Sequence, residues 1–244
     1  MTHQPSIYAA QRGEPSYVWR SGQERRLQMI LAQTDLQGRH ILEFGAGVGM
    51  YASQFQRRFA AQVVAFDIEL ERVRLMHQDI EAVSVAAGEA LPYPDARFDV
   101  VFSNEVIEHV QDDVQAAREM VRVTKSGGYV MLFCPNRWYP FETHGHYWRG
   151  QYHFGNTPLI NYLPNRWRDQ LAPHVRAYSA HHLRALFADL PVRKVHHSRI
   201  FGGYDNIVAR APWLGKLIRG LLYPLEATPL RWFGLSHWLV LQKL

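Results

Sequence analysis

Between residues 40 and 136, short apolar runs alternate with amphipathic stretches. The first run ends in a glycine loop: "HILEFGAGVGMYASQF" sets Gly45, Gly47 and Gly49 directly behind it. "RHILEF", "AQVVAFDI", "AVSVAAG", "RFDVVF" and "YVMLFCPN" have the length and composition of strands. "MYASQFQRRFA", "ELERVRLMHQDI" and "DDVQAAREMVRVTKSGG" have helical periodicity. "SNEVIEHV" runs on from the fourth strand as a helix start, and the helix after it is expected to stop at its glycines. Such alternation demands a parallel sheet with crossover helices, an open doubly wound α/β fold. With 244 residues the chain has room for one such core and not for two full domains.

The glycine loop limits the ligand. A dinucleotide fingerprint has the spacing G-x-G-x-x-G, and here Met50 stands where its third glycine belongs. No Gly-Lys-Ser/Thr follows, which excludes a P-loop. Glu43 lies two residues before the first glycine, where its charge opposes a pyrophosphate and favours a cationic group. Asp67 ends the second strand, 18 residues after Gly49, where a carboxylate can take both hydroxyls of a ribose. A ligand with a ribose and an amino group but no phosphate fits this pattern, and S-adenosylmethionine has those features.

Four segments, "ILEFGAGVGMYA", "VVAFDIE", "GEALPYPDARFDVVFSNEVIEHV" and "MVRVTKSGGYVMLFCPN", together resemble the class I S-adenosylmethionine-dependent methyltransferases, in particular the broad group that includes the quinone-biosynthesis methyltransferases. The resemblance spans residues 22–136. It implies a mostly parallel, seven-stranded Rossmann-like sheet whose last strand is antiparallel and inserted between the fifth and sixth. "SHWLVLQKL" would be that strand and "VRKVHHSRI" the sixth. It further implies that Glu43 binds the methionine amino group, that Gly45, Ala46 and Gly47 admit the methionine moiety, and that Gly49 is a packing glycine. Asp67 takes the ribose role and Ile68 packs on adenine. The family's aspartate after the third strand is missing, with Ala87 in its place. Backbone at 87–89, the Glu89 side chain or Ala90 is the expected substitute. Ser103, Asn104 and Glu105 should lie beside the sulfonium. Helices before the first strand close over the cofactor in this fold, which makes Tyr17 and Arg20 candidates at the methionine end, with Arg20 facing its carboxylate.

Methyl transfer to a hydroxyl needs a base. His144 and His146 follow the fifth strand in "PNRWYPFETHGHYW", and an extended backbone would aim both the same way. They are the first candidates, with His109 of "VIEHV" behind them. Glu142, His144, His146 and His153 also form a possible ligand pattern, but metal is not the expectation. The organisation expected is a single domain: an N-terminal helical cap (1–38), a cofactor-binding core (39–136), a substrate lid (137–178) and the rest of the sheet with a helical insertion (179–244).

Charge divides the chain. Residues 1–125 carry a net −4 and residues 126–244 a net +9, and six of seven tryptophans lie in the second part. No basic run or base-flipping pocket motif follows the fourth strand, which argues against nucleic acid. The acceptor is expected to be a small molecule: a phenol or quinone, a glycan, or a lipid-linked intermediate. O-methylation is favoured. A non-methyl transfer using the same cofactor, or cofactor binding without catalysis, is the alternative. The N-terminal stretch has no apolar core of a signal peptide, and Cys134 is the single cysteine, so the cytoplasm is the expected compartment. In "PWLGKLIRGLL", residues 212–222, an apolar stripe adjoins Lys216 and Arg219. Packing on the domain is the favoured expectation and a peripheral membrane contact the alternative. The oligomeric state is left open.

Overall fold

The computed structural model describes residues 16–244. The first part of the expected N-terminal cap, residues 1–15, lies outside the described residues. The chain opens with α1 (Ser21–Leu31), then β1 (His40–Phe44), α2 (Met50–Phe59), β2 (Gln62–Asp67), α3 (Leu70–Met76), β3 (Ala82–Val85), β4 (Phe98–Asn104), α4 (Asp113–Val123) and β5 (Thr124–Pro135). A segment of short elements follows: β6 (Phe141–Glu142), β7 (His146–Trp148), β8 (Gln151–His153), β9 (Thr157–Pro158) and α5 (Asn165–Leu171). The chain then returns to the sheet through α6 (Ala180–Ala185), β10 (Val192–Ile200), α7 (Asp205–Arg210), α8 (Pro212–Leu225) and β11 (Ser236–Lys243).

Seven strands form one sheet in the order β10-β11-β5-β4-β1-β2-β3. β3, β2, β1, β4 and β5 are mutually parallel, and β11 runs antiparallel to both β5 and β10. This is the doubly wound arrangement with an inserted antiparallel last strand that the resemblance implied. Phe133 and Trp238 stack across β5 and β11 at 4.3 Å between ring centroids and stand opposite each other in register. Such a cross-strand aromatic pair opposes slippage of β11. The sheet is buried on both faces. Leu27, Ile30, Phe55 and Phe102 belong to one apolar cluster, and Leu42, Phe44, Met120 and Leu132 to the other.

Three expectations are corrected. No helix begins at "VIEHV". Glu105 takes a left-handed backbone (φ +55°) and residues 105–111 form turns. The helix starts only at Asp113, where the Asp112 carboxylate accepts a bond from Gln115 N at 2.9 Å. α4 does not stop on glycine either. It ends at Val123, with Thr124 already extended, and the glycines fall inside β5. Gly128 lies where an added Cβ would sit 2.8 Å from Asp99 O, so close approach rather than capping explains it. Third, the apolar stripe of α8 packs inward only in part: Leu214 and Ile218 are half-buried, whereas Trp213, Leu217 and Leu221 are 70%, 51% and 63% exposed. The helix contacts the domain through its other side, where Gly215 abuts Val208 too closely for any side chain.

The 137–178 segment is built rather than structureless. Two small ribbons, β6 with β9 and β7 with β8, lie next to α5. Arg168 of α5 is fully buried and ties the segment together, donating to Val175 O (2.8 Å), Asn161 Oδ1 (3.3 Å) and Glu142 Oε2 (2.9 Å).

Candidate functional site

A cavity of about 1880 Å³ opens at the carboxyl ends of the parallel strands, the edge where open α/β sheets bind ligands. One part is the glycine loop. Gly45, Gly47 and Gly49 all have positive φ, at 70°, 58° and 75°. A Cβ on Gly45 would fall 2.4 Å from Val106 Cγ1, so only glycine lets the β1 turn lie against the β4 turn. Gly49 lies against Ile80 and Met76 instead and does not line the cavity. Gly47 N donates to Asp67 Oδ2 (2.9 Å) and Glu69 N to Asp67 Oδ1 (3.0 Å). These two bonds hold the carboxylate at the cavity wall. Burial still raises the pKa of Asp67 above the usual carboxylate value.

Glu43 also lines the cavity and is buried. Its Oε2 accepts from Ala52 N at 2.7 Å. Burial nonetheless pushes its pKa up to about 8, with the charge of Asp67 adding to the rise. Ile68 stands half-exposed on the wall. Ala46, Ala87 and Asn104 line the cavity as well, whereas Ala90 does not. Glu89 is a wall residue whose carboxylate is already engaged, accepting from Gln111 N (2.6 Å) and Asp112 N (3.2 Å). It ties down the turn before α4, and Ala87 and Gly88 line the wall beside it. Arg20 lines the cavity with Nη1 on Asn206 Oδ1 (3.0 Å). Tyr17 is not in the wall, and Ser103 lies buried beneath it.

The other part of the cavity lies between the β4 turn and the 137–178 segment. Arg26 of α1 donates to Asn104 Oδ1 (2.5 Å), Glu105 Oε1 (2.7 Å) and Ser236 Oγ (2.9 Å), which joins α1, the β4 turn and β11 at one point. Burial acts against ionisation of Glu105, but the charge of Arg26 and the hydrogen bonds from Ser236 and Arg26 together lower the pKa. Glu108 is fully buried, and among the described residues neither carboxylate oxygen has a hydrogen-bond partner. Burial and the neighbouring charge of Glu105 push its pKa well above the usual range. His109 Nδ1 lies 3.2 Å from His174 O, and burial pulls its pKa down to about 4. His109 and His144 meet edge to face, 5.3 Å between ring centres.

His144 and His146 point apart. Gly145 between them has φ +81°, which breaks the strand alternation that would have aligned them. His144 lines the cavity, with Nδ1 donating to Glu142 Oε1 at 3.0 Å. His146 is outside the wall, its Nδ1 bonded to Thr157 Oγ1 (2.9 Å) and its ring stacked on His153. The Glu142, His144, His146, His153 pattern therefore does not converge on one point. A different set does: ligand atoms of Glu108, His109 and His144 lie within 4.8 Å of one another. Arg26, Tyr51 and Arg168 also line the cavity, and sequence reasoning passed over all three. The available signal was an arginine on the same helix face as buried Ile30, one turn before it.

Residues 42–132 match the family described as a methyltransferase domain. That match runs from β1 to β5 and leaves the rest of the chain outside it. Ajmaline N-methyltransferase of Rauvolfia serpentina is 36% identical over 102 residues, covering 38% of this chain and 35% of that protein. A probable S-adenosylmethionine-dependent methyltransferase of Mycobacterium tuberculosis is 37% identical over 102 residues, 41% of this chain and 36% of that one. A ubiquinone biosynthesis O-methyltransferase of Alkalilimnicola ehrlichii is 31% identical over 109 residues, 42% of this chain and 44% of that protein. The chain thus spans less than half the length of these relatives. An S-adenosylmethionine-dependent methyltransferase structure from Mesorhizobium loti superposes with a TM-score of 0.64 at 16% identity, covering 91% of this chain and 98% of that one. The structure of the [4+2]-cyclase SpnF superposes at 0.60 and 16% identity, covering 92% and 83%. These likenesses show the fold; the reaction has to be argued from the site.

The cofactor these likenesses imply is S-adenosylmethionine, and the residues present fit it. The cavity has a glycine turn at positive φ, where a Cβ on Gly45 would strike Val106, two buried carboxylates on adjacent strands, and an exposed isoleucine directly after the second.

Proposed function

We propose that this chain is a methyltransferase that moves a methyl group from S-adenosylmethionine to a hydroxyl of a small-molecule acceptor, with His144 as the base. Glu43 would hold the amino group of the cofactor, Asp67 its ribose, and Ile68 its adenine face. The bound cofactor supplies an activated methyl on a sulfonium, a leaving group that needs no further help. What remains for the protein is to exclude water, align the acceptor and take its proton.

The observation that supports His144 is its anchoring. Glu142 accepts from Nδ1, which leaves Nε2 as the unprotonated nitrogen. Burial would raise the pKa of Glu142, but the bond from His144 and the charge of Arg168 hold it at about 2. Glu142 therefore stays a carboxylate and fixes both tautomer and ring orientation. A base held this way is the arrangement that general-base catalysis uses elsewhere.

The acceptor class proposed is a phenol or quinone, a glycan or a lipid-linked intermediate, small enough for the space between the β4 turn and the 137–178 segment. Incubation with labelled cofactor and a panel of such acceptors, read by mass spectrometry for the gain of one CH₂, tests the reading. Transfer to no hydroxyl acceptor alongside transfer to an amine would overturn the O-methyl assignment.

One observation favours a second reading of the same corner. Glu108 presents two buried oxygens with no hydrogen-bond partner among the described residues, next to His109 and His144. A proton satisfies them, and so would a divalent ion that orients the acceptor oxygen. A melting-temperature rise with manganese or zinc that Glu108→Gln abolishes would select the metal reading.

A further inference from the structure

The exposed face of α8 does not stand alone. Trp213, Leu217 and Leu221 recur at four-residue spacing along it. The turn at 229–233, which contacts α8, adds exposed Leu230, Trp232 and Phe233. Trp232 and Phe233 in turn form, with Trp138 and Tyr162, an apolar groove of about 500 Å³. The result is one continuous apolar surface, rich in tryptophan, on the outside of the molecule.

Its charge is one-sided. Lys216 of α8, Arg231 of the turn and Arg210, the last residue of α7, are exposed, and none of them has an ion pair or hydrogen bond among the described residues. Between residues 206 and 244 the chain has one acidic residue, Glu226. That residue is turned inward, paired with Arg25 at 2.5 Å. Arg219, the second cation in the sequence stripe, is also turned inward, bonded to Asp205 (3.0 Å), Ser21 and Gly203 O. The outward cations are therefore Arg210, Lys216 and Arg231, all unneutralised.

We propose that this surface docks the protein on an anionic lipid bilayer. A tryptophan-rich apolar face flanked by uncompensated cations complements a layer of hydrocarbon under negative headgroups, and indole rings settle at that boundary. A second copy of the chain is the poorer occupant. A two-fold contact through this patch would bring the same three cations near their symmetry mates with no acid to meet them. Among the described residues no helix is long and apolar enough to cross a membrane, so the contact is peripheral. The docked elements also reach the cavity, since Arg219 binds Gly203 and Gly203 lines its wall. The docking itself does not depend on the methyl-transfer reading.

Vesicle flotation tests this with no reference to activity. The full chain should float at low salt with vesicles of phosphatidylcholine mixed with phosphatidylglycerol, and far less with phosphatidylcholine alone. Trp213→Ser/Leu217→Ser/Leu221→Ser should abolish flotation while the thermal melt stays that of the wild type. Should that variant unfold, Lys216→Glu/Arg231→Glu, which alters only exposed charge, decides: the binding constant for anionic vesicles should fall about tenfold or more. Wild-type protein that stays at the bottom with both vesicle types overturns the proposal, as does flotation that neither variant changes. A dimer that the triple variant dissociates, in protein that does not float, would assign the face to a second copy and overturn it equally.

Discussion

His144 Nδ1 lies 3.0 Å from Glu142 Oε1, and the same carboxylate is held from its other oxygen by Arg168 at 2.9 Å. The imidazole at the cavity wall is thus fixed by a buried ion pair that belongs to the 137–178 segment itself. His144→Ala should lower kcat by about 10²-fold or more, the usual scale for losing a general base. Glu142→Gln keeps the shape but no longer specifies the tautomer, and should lose at least about tenfold in kcat. Cofactor affinity, measured by calorimetry, should be unchanged in both. If His144→Ala turns over normally and His109→Ala does not, the proton goes to His109.

Asp67 is held by Gly47 N and Glu69 N with its carboxylate at the cavity wall. With Asp67 on the ribose as proposed, Asp67→Ala should weaken S-adenosylmethionine binding by ~1–3 kcal/mol, the scale for losing a charged hydrogen-bond partner. The acceptor KM should not move. Titration calorimetry giving wild-type affinity would remove Asp67 from the ribose site.

Local motifs were legible in the sequence because their chemistry is local. Three glycines at positive φ, a carboxylate two residues earlier and another at the next strand end are all set by residues adjacent in the chain or on neighbouring strands. The strand order followed from the same alternation together with the resemblance. Contacts that depend on distant residues were not legible. Glu89 caps a turn 22 residues downstream, and Arg168 reaches Glu142 across 26 residues. Gly145 shows how one residue defeats a pattern: with φ at +81° it turns two histidines at i and i+2 away from each other. An apolar stripe such as that of α8 says that a helix has a greasy face, and nothing in its period says whether the domain covers it.

The buried pair behind His144 also has a stability consequence. Arg168→Met leaves the Glu142 carboxylate buried with only His144 as a hydrogen-bond donor among the described residues. Removing one member of a buried pair costs about 3–5 kcal/mol, so urea unfolding should shift to markedly lower concentration. Adding Glu142→Gln removes the orphaned charge, and the double variant should be more stable than Arg168→Met alone. A double variant as unstable as the sum of the two single ones would mean that the residues act independently.

Glu43 links cofactor binding to pH. Its carboxyl titrates near 8 in the folded chain against an ordinary 4.5, because burial disfavours its charge. Between those values the unfolded chain gives up a proton that the native one keeps. The contribution of Glu43 to stability is therefore complete below 4.5 and falls as pH rises through 8, on the order of 1.4 kcal/mol per pH unit. A cofactor ammonium beside Glu43 favours the carboxylate and drives the proton off. Binding at neutral pH should then release a proton, and affinity should climb from pH 6 towards about 8 before levelling. Calorimetry in two buffers of different ionisation enthalpy reads that proton directly. Glu43→Gln should bind more weakly, with neither buffer dependence nor the climb in this range. Identical heats in both buffers for the wild type would mean that Glu43 is not the group that meets the ammonium.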